Sequence, residues 1–214
     1  MIIKHRGIEP YIDPTAYIAP TATIIGDVKI GAKAKVMFGA VITSEGSKIT
    51  IGESVIISEN TVIRATAAGN QNHPVTIGDN VFIGPHSTIL GACLESCSYI
   101  ATGATILHGA KVCSGAVVAV GAVVHVKTTI PKDFFVSPYM IAVGDPAQLF
   151  SPDQAEEVGK AILSAGFAKV AFNINTTGKS RAAIYKETTQ VRAKEYEAHF
   201  EDKIMETLVS GYQD

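Results

Sequence analysis

The sequence predicts an all-β solenoid, a prism of stacked parallel coils, followed by C-terminal α-helices. Three observations predict it. Ile12, Ile18, Ile24, Ile30, Val36 and Ile42 fall six residues apart, and four positions after each of the first five comes a small or β-branched residue: Ala16, Ala22, Val28, Ala34 and Ala40. A six-residue period fits neither the 3.6-residue helix nor the two-sided strand, but it does fit a repeat of one short strand and one corner. Hydrophobic residues make up 47% of the chain and aromatics only 7%, with no Trp, which suits a narrow core of Ile, Val and Ala. Finally, the breaks in the period recur at equivalent places, each after the third hexad of a coil.

Residues 1–10 lead into the repeat. Ile12/Ile18/Ile24 and Ile30/Val36/Ile42 form two coils; a jump of nine then leads to Ile51/Ile57/Ile63, and a jump of fourteen to Ile77/Ile83/Ile89. A contraction to five reaches Leu94/Ile100/Ile106, and Val112/Val118/Val124 closes the sixth coil. Because the three irregularities share one corner, loops can bulge there without disturbing the inner column, and that edge is where function is expected. Residues 125–150 are read as leaving the repeat.

Ser151-Pro152-Asp153-Gln154 has the composition of a helix start, with Ser151 as N-cap and Pro152 in the first helical position. Ala155, Val158 and Ile162 give that helix one apolar face. The segment from Gly166 to about Lys186 is ambiguous, with an extended reading open for residues 168–175. A longer helix is expected from about Thr188 to Val209, because Tyr196, Phe200, Ile204 and Leu208 recur every four residues and that stripe needs a surface to cover it. The division expected is a β-helix over residues 1–150 and a helical extension over 151–214.

The net charge of −2 gives no electrostatic case for nucleic acid or anionic membranes. The N-terminus has no extended apolar core after its charges, and the longest apolar run, Ala116 to Val124, is far too short to span a membrane. Cys93, Cys97 and Cys113 are odd in number and form no CxxC, as in a reduced protein. A cytoplasmic protein is the expectation.

The segments Val75–Gly84 and Ile89–Val112, the opening Ile18–Gly31 and the closing Ala142–Phe150 resemble the γ-class carbonic anhydrases, a branch of the hexapeptide-repeat, or isoleucine-patch, superfamily of acyltransferases and their relatives. The resemblance covers about residues 8–150. It implies a left-handed parallel β-helix, a homotrimer, and zinc held between subunits by three histidines. At the three positions that the resemblance assigns to those histidines this chain has Arg64, Pro85 and Leu90. The family's Arg-Gly-Asp near the second corner reads Thr43-Ser44-Glu45, and its supporting Asn and Gln align with Ile56 and Ser58. The fold therefore carries over and the usual zinc site does not. Zinc is expected only if the ligand set has been rearranged.

Candidate site residues follow from this edge of the prism. His86 lies one residue from a lost ligand position, and His108 one coil further on; the two share a cleft only across a subunit junction. His73, in the long excursion Gly69–Pro74, has the position of a general base in the hexapeptide acyltransferases, with acyl-CoA as substrate. His73 and His86 are thus the catalytic candidates, and Arg64 and His108 the binding candidates. For each histidine the plainer reading is a surface, turn or packing role. Arg64 has two readings, an ion pair with Glu45 or Glu59, or an anion site. His125 is expected to pack; His5 and His199 lie outside the prism and carry no argument. Three functions remain open: a γ-carbonic-anhydrase-like protein without the usual zinc triad, an acyl-CoA-dependent acyltransferase working between subunits, and a non-catalytic trimeric scaffold.

Overall fold

A chain with one inward aliphatic in every six residues pairs each short strand with its equivalent one coil away. The computed structural model, which describes residues 1–205 apart from the side chain of Asn70, has this arrangement. Three sheets form the faces of the prism. The first runs in seven parallel strands from Tyr11–Ile12 to Thr129–Ile130, and the second in seven from Tyr17–Ile18 to Phe135–Val136. The third has ten strands, because Ile2–Lys4 precedes the first coil and an antiparallel strand joins at each edge. The register stacks Ile12, Ile30, Ile51, Ile77, Leu94, Val112 and Ile130 in one column. From Ile30 onward this column is shut off from solvent, and burying each aliphatic is worth roughly 1.5–3 kcal/mol.

The repeat is one coil longer than the sequence reading allowed. Ile130, Val136 and Ala142 stack on Val112, Val118 and Val124, so residues 129–143 continue the prism instead of leaving it. The six-residue spacing persists there, but Pro131 and Pro138 stand beside the strands and the last inward residue is only an alanine. Proline is tolerated at 131 because Thr129–Ile130 is the last strand of its sheet: the equivalent N–H one coil earlier, that of Cys113, donates to the Ile130 carbonyl, but beyond Ile130 no strand follows to accept. The cap is the antiparallel strand Gln148–Phe150, paired with Ile141–Val143.

Three helices follow: α1 (Ala155–Ala165), α2 (Phe167–Phe172) and α3 (Arg181–Tyr196). Ser151 is not the N-cap of α1. Its N–H donates to Gln154 Oε1 at 2.9 Å and its carbonyl closes a turn to Gln154, so the helix starts three residues later than expected. Gly166, at φ +68°, breaks α1 from α2 in the left-handed conformation that ends many helices. Residues 167–172 are helical, which closes the extended reading there.

The tail also differs from the helix expected over residues 188–209. The long helix begins at Arg181, behind a Ser180 cap that accepts from Ala183 N–H, and ends at Tyr196. A 3₁₀ turn, Glu197–Glu201, then leads into the strand Lys203–Met205. That strand pairs antiparallel with Ile2–Lys4, matching Ile2 with Met205 and Lys4 with Lys203. The open edge of the third sheet offers unpaired backbone groups, and pairing them outweighs the four-residue apolar spacing. Phe200 is 92% exposed and Ile204 71%, so neither forms a buried helical stripe; Leu208 lies outside the described residues. Among the described residues no helix is long and apolar enough to cross a membrane.

Candidate functional site

The nine-residue and fourteen-residue jumps both begin on the third sheet, and both lengthen its strands beyond a hexad. Val41–Glu45 and Val62–Thr66 pair in register, with Thr43 opposite Arg64 and Glu45 opposite Thr66; Thr43 also faces Ile25 on its other side. Side chains alternate along a strand, so Val41, Thr43 and Glu45 share the outward face. Together with Ile25 and Arg64 they floor a groove of about 430 Å³, walled by Tyr196 and His199 from the C-terminal tail.

The pairing of residues 203–205 with residues 2–4 brings the two ends of the described chain to this corner. Asp202 accepts from both histidines there: Oδ1 lies 2.6 Å from His5 Nδ1, and Oδ2 lies 2.7 Å from His199 Nδ1. The two rings stack with centroids 4.4 Å apart. Their other nitrogens face Glu45, His199 Nε2 at 3.1 Å from Oε1 and His5 Nε2 at 3.8 Å from Oε2. Thr43 donates its hydroxyl to Glu45 Oε1 at 2.8 Å, and Arg6 Nε donates to His5 Nε2 at 3.2 Å. An Nε2 that accepts and an Nδ1 beside a carboxylate assign His5 the Nδ1–H tautomer. Glu45 is almost wholly buried, yet its Oε2 has no hydrogen-bond partner. Burial works against the charge on His199, but Asp202 and Glu45 outweigh it and hold its pKa above the usual histidine value. Burial likewise disfavours the charge on Asp202, and the two histidines overcome it and lower its pKa.

Arg64 meets Tyr196 rather than an acid. Its Nη1 donates to the Tyr196 hydroxyl at 2.7 Å, and the guanidinium lies 5.7 Å from the centre of that ring. Among the described residues it pairs with neither Glu45 nor Glu59, because Glu45 is engaged by Thr43 and His199. Arg64 Nε is buried without a partner. Behind Tyr196, Arg192 is ion-paired with Glu195 and lies over Phe172.

Of the other sequence candidates, His73 and His108 meet and His86 stands apart. His73 Nε2 donates to the Val170 carbonyl at 2.7 Å, so α2 covers the long excursion and engages the expected general base. Its ring packs edge-on against His108 with centroids 5.1 Å apart. Gly91 makes that approach feasible: a Cβ there would lie 2.5 Å from His73 Cβ. His108 is buried with neither ring nitrogen hydrogen-bonded, and its pKa falls to about 4, through burial first and then His73, Arg192 and Arg64. His125 packs near Phe167, and burial lowers its pKa. His86 is an exposed corner residue at φ +58°. Arg64 and Leu90 are direct cross-strand partners, and Pro85 stands one corner earlier.

The residues that converge most closely, His5, His199 and Asp202, were not candidates in the sequence. Their only local signal is the three-residue spacing of His199 and Asp202; what joins them is a strand pairing across the length of the chain.

No protein-family model matches the chain. It is 36% identical over 101 residues to the mitochondrial γ carbonic anhydrase 1 of Arabidopsis thaliana, covering 46% of this chain and 36% of that protein. It is 32% identical over 107 residues to a carbonic anhydrase of Geobacillus kaustophilus, covering 50% of this chain and 57% of that one. The chain thus spans less than two thirds of the length of these relatives. A crystal structure of a hexapeptide transferase family protein from Anaplasma phagocytophilum superposes with a TM-score of 0.51 at 23% identity, over 90% of this chain and 97% of that one. That likeness concerns the fold.

Proposed function

We infer a function from the premise that this is a hexapeptide-repeat protein related to the γ-class carbonic anhydrases: its groove binds a small oxyanion, a carboxylate or bicarbonate, and it does not hydrate carbon dioxide at the branch's usual zinc position. The observation that carries this reading is the contact of Arg64 with Tyr196. A guanidinium that faces a groove, is held by a phenol, and meets no carboxylate among the described residues is poised to bind a planar anion. The Tyr196 hydroxyl accepts from Arg64 and keeps its own proton to donate to the same anion. A groove of about 430 Å³ falls within the size range of small-molecule sites.

The residues at the positions assigned by resemblance to zinc do not fit that ion. Arg64 carries a fixed positive charge, and the side chains of Pro85 and Leu90 have no donor atom. The acyltransferase reading still rests on His73, whose Nε2 is held by the Val170 carbonyl and whose Nδ1 is then the nitrogen that would accept a proton. Subunits are expected to assemble as a homotrimer, through the second sheet, whose outward ladder includes Ile56, Phe82, Tyr99, Val117 and Phe135.

Calorimetric titration of the whole protein with bicarbonate, acetate and phosphate tests the reading. Saturable binding of one of them, weakened at least tenfold by Arg64→Gln in a variant with an unchanged circular dichroism spectrum, supports it. Binding that is absent, or indifferent to Arg64→Gln, rejects it.

A further inference from the structure

We propose that Nε2 of His5, Nε2 of His199 and the carboxylate of Glu45 form a site for one first-row divalent transition-metal ion, with Asp202 holding both imidazoles in the ligating tautomer. The inference goes beyond the anion reading and does not depend on it. It concerns a different set of atoms from the positions that the resemblance assigns to zinc.

The first argument is the placement of protons. Asp202 uses one oxygen on each ring, and a carboxylate accepts, so each Nδ1 carries its hydrogen; His5 Nε2 then presents a lone pair, while His199 Nε2 donates to Glu45 Oε1 and gives up that proton when an ion takes its place. The two Nε2 atoms and the Glu45 carboxylate converge, and the ligand atoms of the three residues lie within 4.8 Å of one another. Carboxylate-backed imidazoles are the usual second layer of a metal site, because the carboxylate fixes ring orientation and raises ligand basicity.

Spacing gives the second argument. Bonds of 2.0–2.1 Å in a tetrahedron put neighbouring ligand atoms about 3.3 Å apart. The observed separations, 3.1 Å from His199 Nε2 to Glu45 Oε1 and 3.8 Å from His5 Nε2 to Oε2, are of that size, each to a different oxygen of the one carboxylate. Glu45 supplies the third argument: its side chain is 98% buried, being 2% exposed, and Oε2 is directed at His5 without a hydrogen bond. A buried carboxylate oxygen without a partner is costly, and a cation removes that cost. Two imidazole nitrogens and one carboxylate oxygen suit zinc, iron(II) or cobalt(II) rather than calcium or magnesium.

Two contacts compete. The His199 Nε2–Glu45 Oε1 hydrogen bond loses its proton to the ion, and the Arg6 Nε donation to His5 Nε2 is displaced, leaving Arg6 its second bond, from Nη2 to the Glu195 carbonyl at 3.1 Å. Glu45 and His199 also line the groove, so the side of the site not enclosed by protein ligands opens towards Arg64 and Tyr196.

The test is a titration of the whole, chelator-stripped protein with Co²⁺, followed by visible spectroscopy and calorimetry. The expected result is one Co²⁺ per chain, with the d–d bands of a low-coordinate cobalt site. His199→Ala, whose side chain is partly exposed and therefore replaceable, abolishes the bands; Asp202→Asn keeps the stoichiometry and weakens binding about 10–100-fold. His86→Ala, at an exposed corner, binds as the wild type does. No stoichiometric uptake overturns the proposal, since protons alone then hold the cluster. Uptake indifferent to His199→Ala but lost in His86→Ala overturns it too. The wild-type stoichiometry decides the matter even if a variant fails to fold.

Discussion

His5 and Asp202, 197 residues apart in sequence, share a hydrogen bond of 2.6 Å between Nδ1 and Oδ1. His5 is 1% exposed. The bond fastens the C-terminal tail to the first strand of the prism at the point where Lys203–Met205 joins the sheet. Hydrogen bonds to charged groups contribute about 1.5–3 kcal/mol each, and Asp202 accepts from two rings. Asp202→Ala should therefore lower the stability of the metal-free protein by about 2 kcal/mol or more. Urea denaturation should show a lower midpoint, and hydrogen exchange should show early loss of protection at Ile2–Lys4. An unchanged midpoint would mean that the strand pairing alone secures the tail.

The inner column makes a sharper prediction about additivity. Ile57, Ile83 and Ile100 stack in successive coils, each 0% exposed. Replacing Ile57 or Ile100 by Ala should cost about 2–5 kcal/mol each, through lost burial and an unfilled cavity. The two are separated by one coil, or about 10 Å, so the double variant should cost the sum within about 0.5 kcal/mol. Ile83 touches both, and a pair that includes Ile83 should deviate from the sum. Denaturation of the single and double variants measures both statements.

The prism was legible because its signal is strictly local. An aliphatic every sixth residue reports a strand and a corner whatever lies elsewhere, and Ile12 through Val124 were placed in the right columns on that basis. The seventh coil was missed where Ala142 replaces the bulky aliphatic and prolines fill the corners, although Ile130 and Val136 kept the period. The tail was misread because Tyr196, Phe200 and Ile204 mimic a helical stripe, while the decisive fact is the open edge at Ile2–Lys4. The sequence offers Glu45 as one ion-pair partner for Arg64, but in the structure Arg64 meets Tyr196 instead. The partners that Glu45 takes, His5 and His199, come from opposite ends of the described chain, and no sequence period encodes a contact of that kind.

The second sheet predicts how subunits meet. Along its outward face Phe82 and Tyr99 stack with ring centroids 5.1 Å apart and planes within 6°, and Ile56, Val117 and Phe135 continue the ladder. The first sheet presents Lys29, Thr50, Thr76 and Lys111 instead. Exposed apolar ladders of this kind mark interfaces. Tyr99, 44% exposed in the single chain, becomes buried if this face meets a second copy. Tyr99→Glu should convert the expected trimer to monomer in light scattering while circular dichroism stays unchanged. A trimer that survives Tyr99→Glu would move the interface to another face.

His108 predicts a pH dependence. Burial, followed by the nearby His73, Arg192 and Arg64, holds its pKa at about 4, against 6.5 in an open chain. A depressed pKa means that the unfolded chain binds the proton first. Stability is therefore complete above pH 6.5 and declines as the pH falls towards 4, by up to about 3 kcal/mol from this residue. Neither ring nitrogen is hydrogen-bonded, so His108→Leu forfeits no partner and should lie within about 1 kcal/mol of the wild type at pH 7.5. At pH 4 the ordering should reverse clearly in favour of the leucine variant, because only the wild type has a buried imidazole to protonate. Denaturation midpoints at the two pH values test this directly. Parallel curves for wild type and variant across that range would mean that His108 reaches solvent or a carboxylate in the assembled protein.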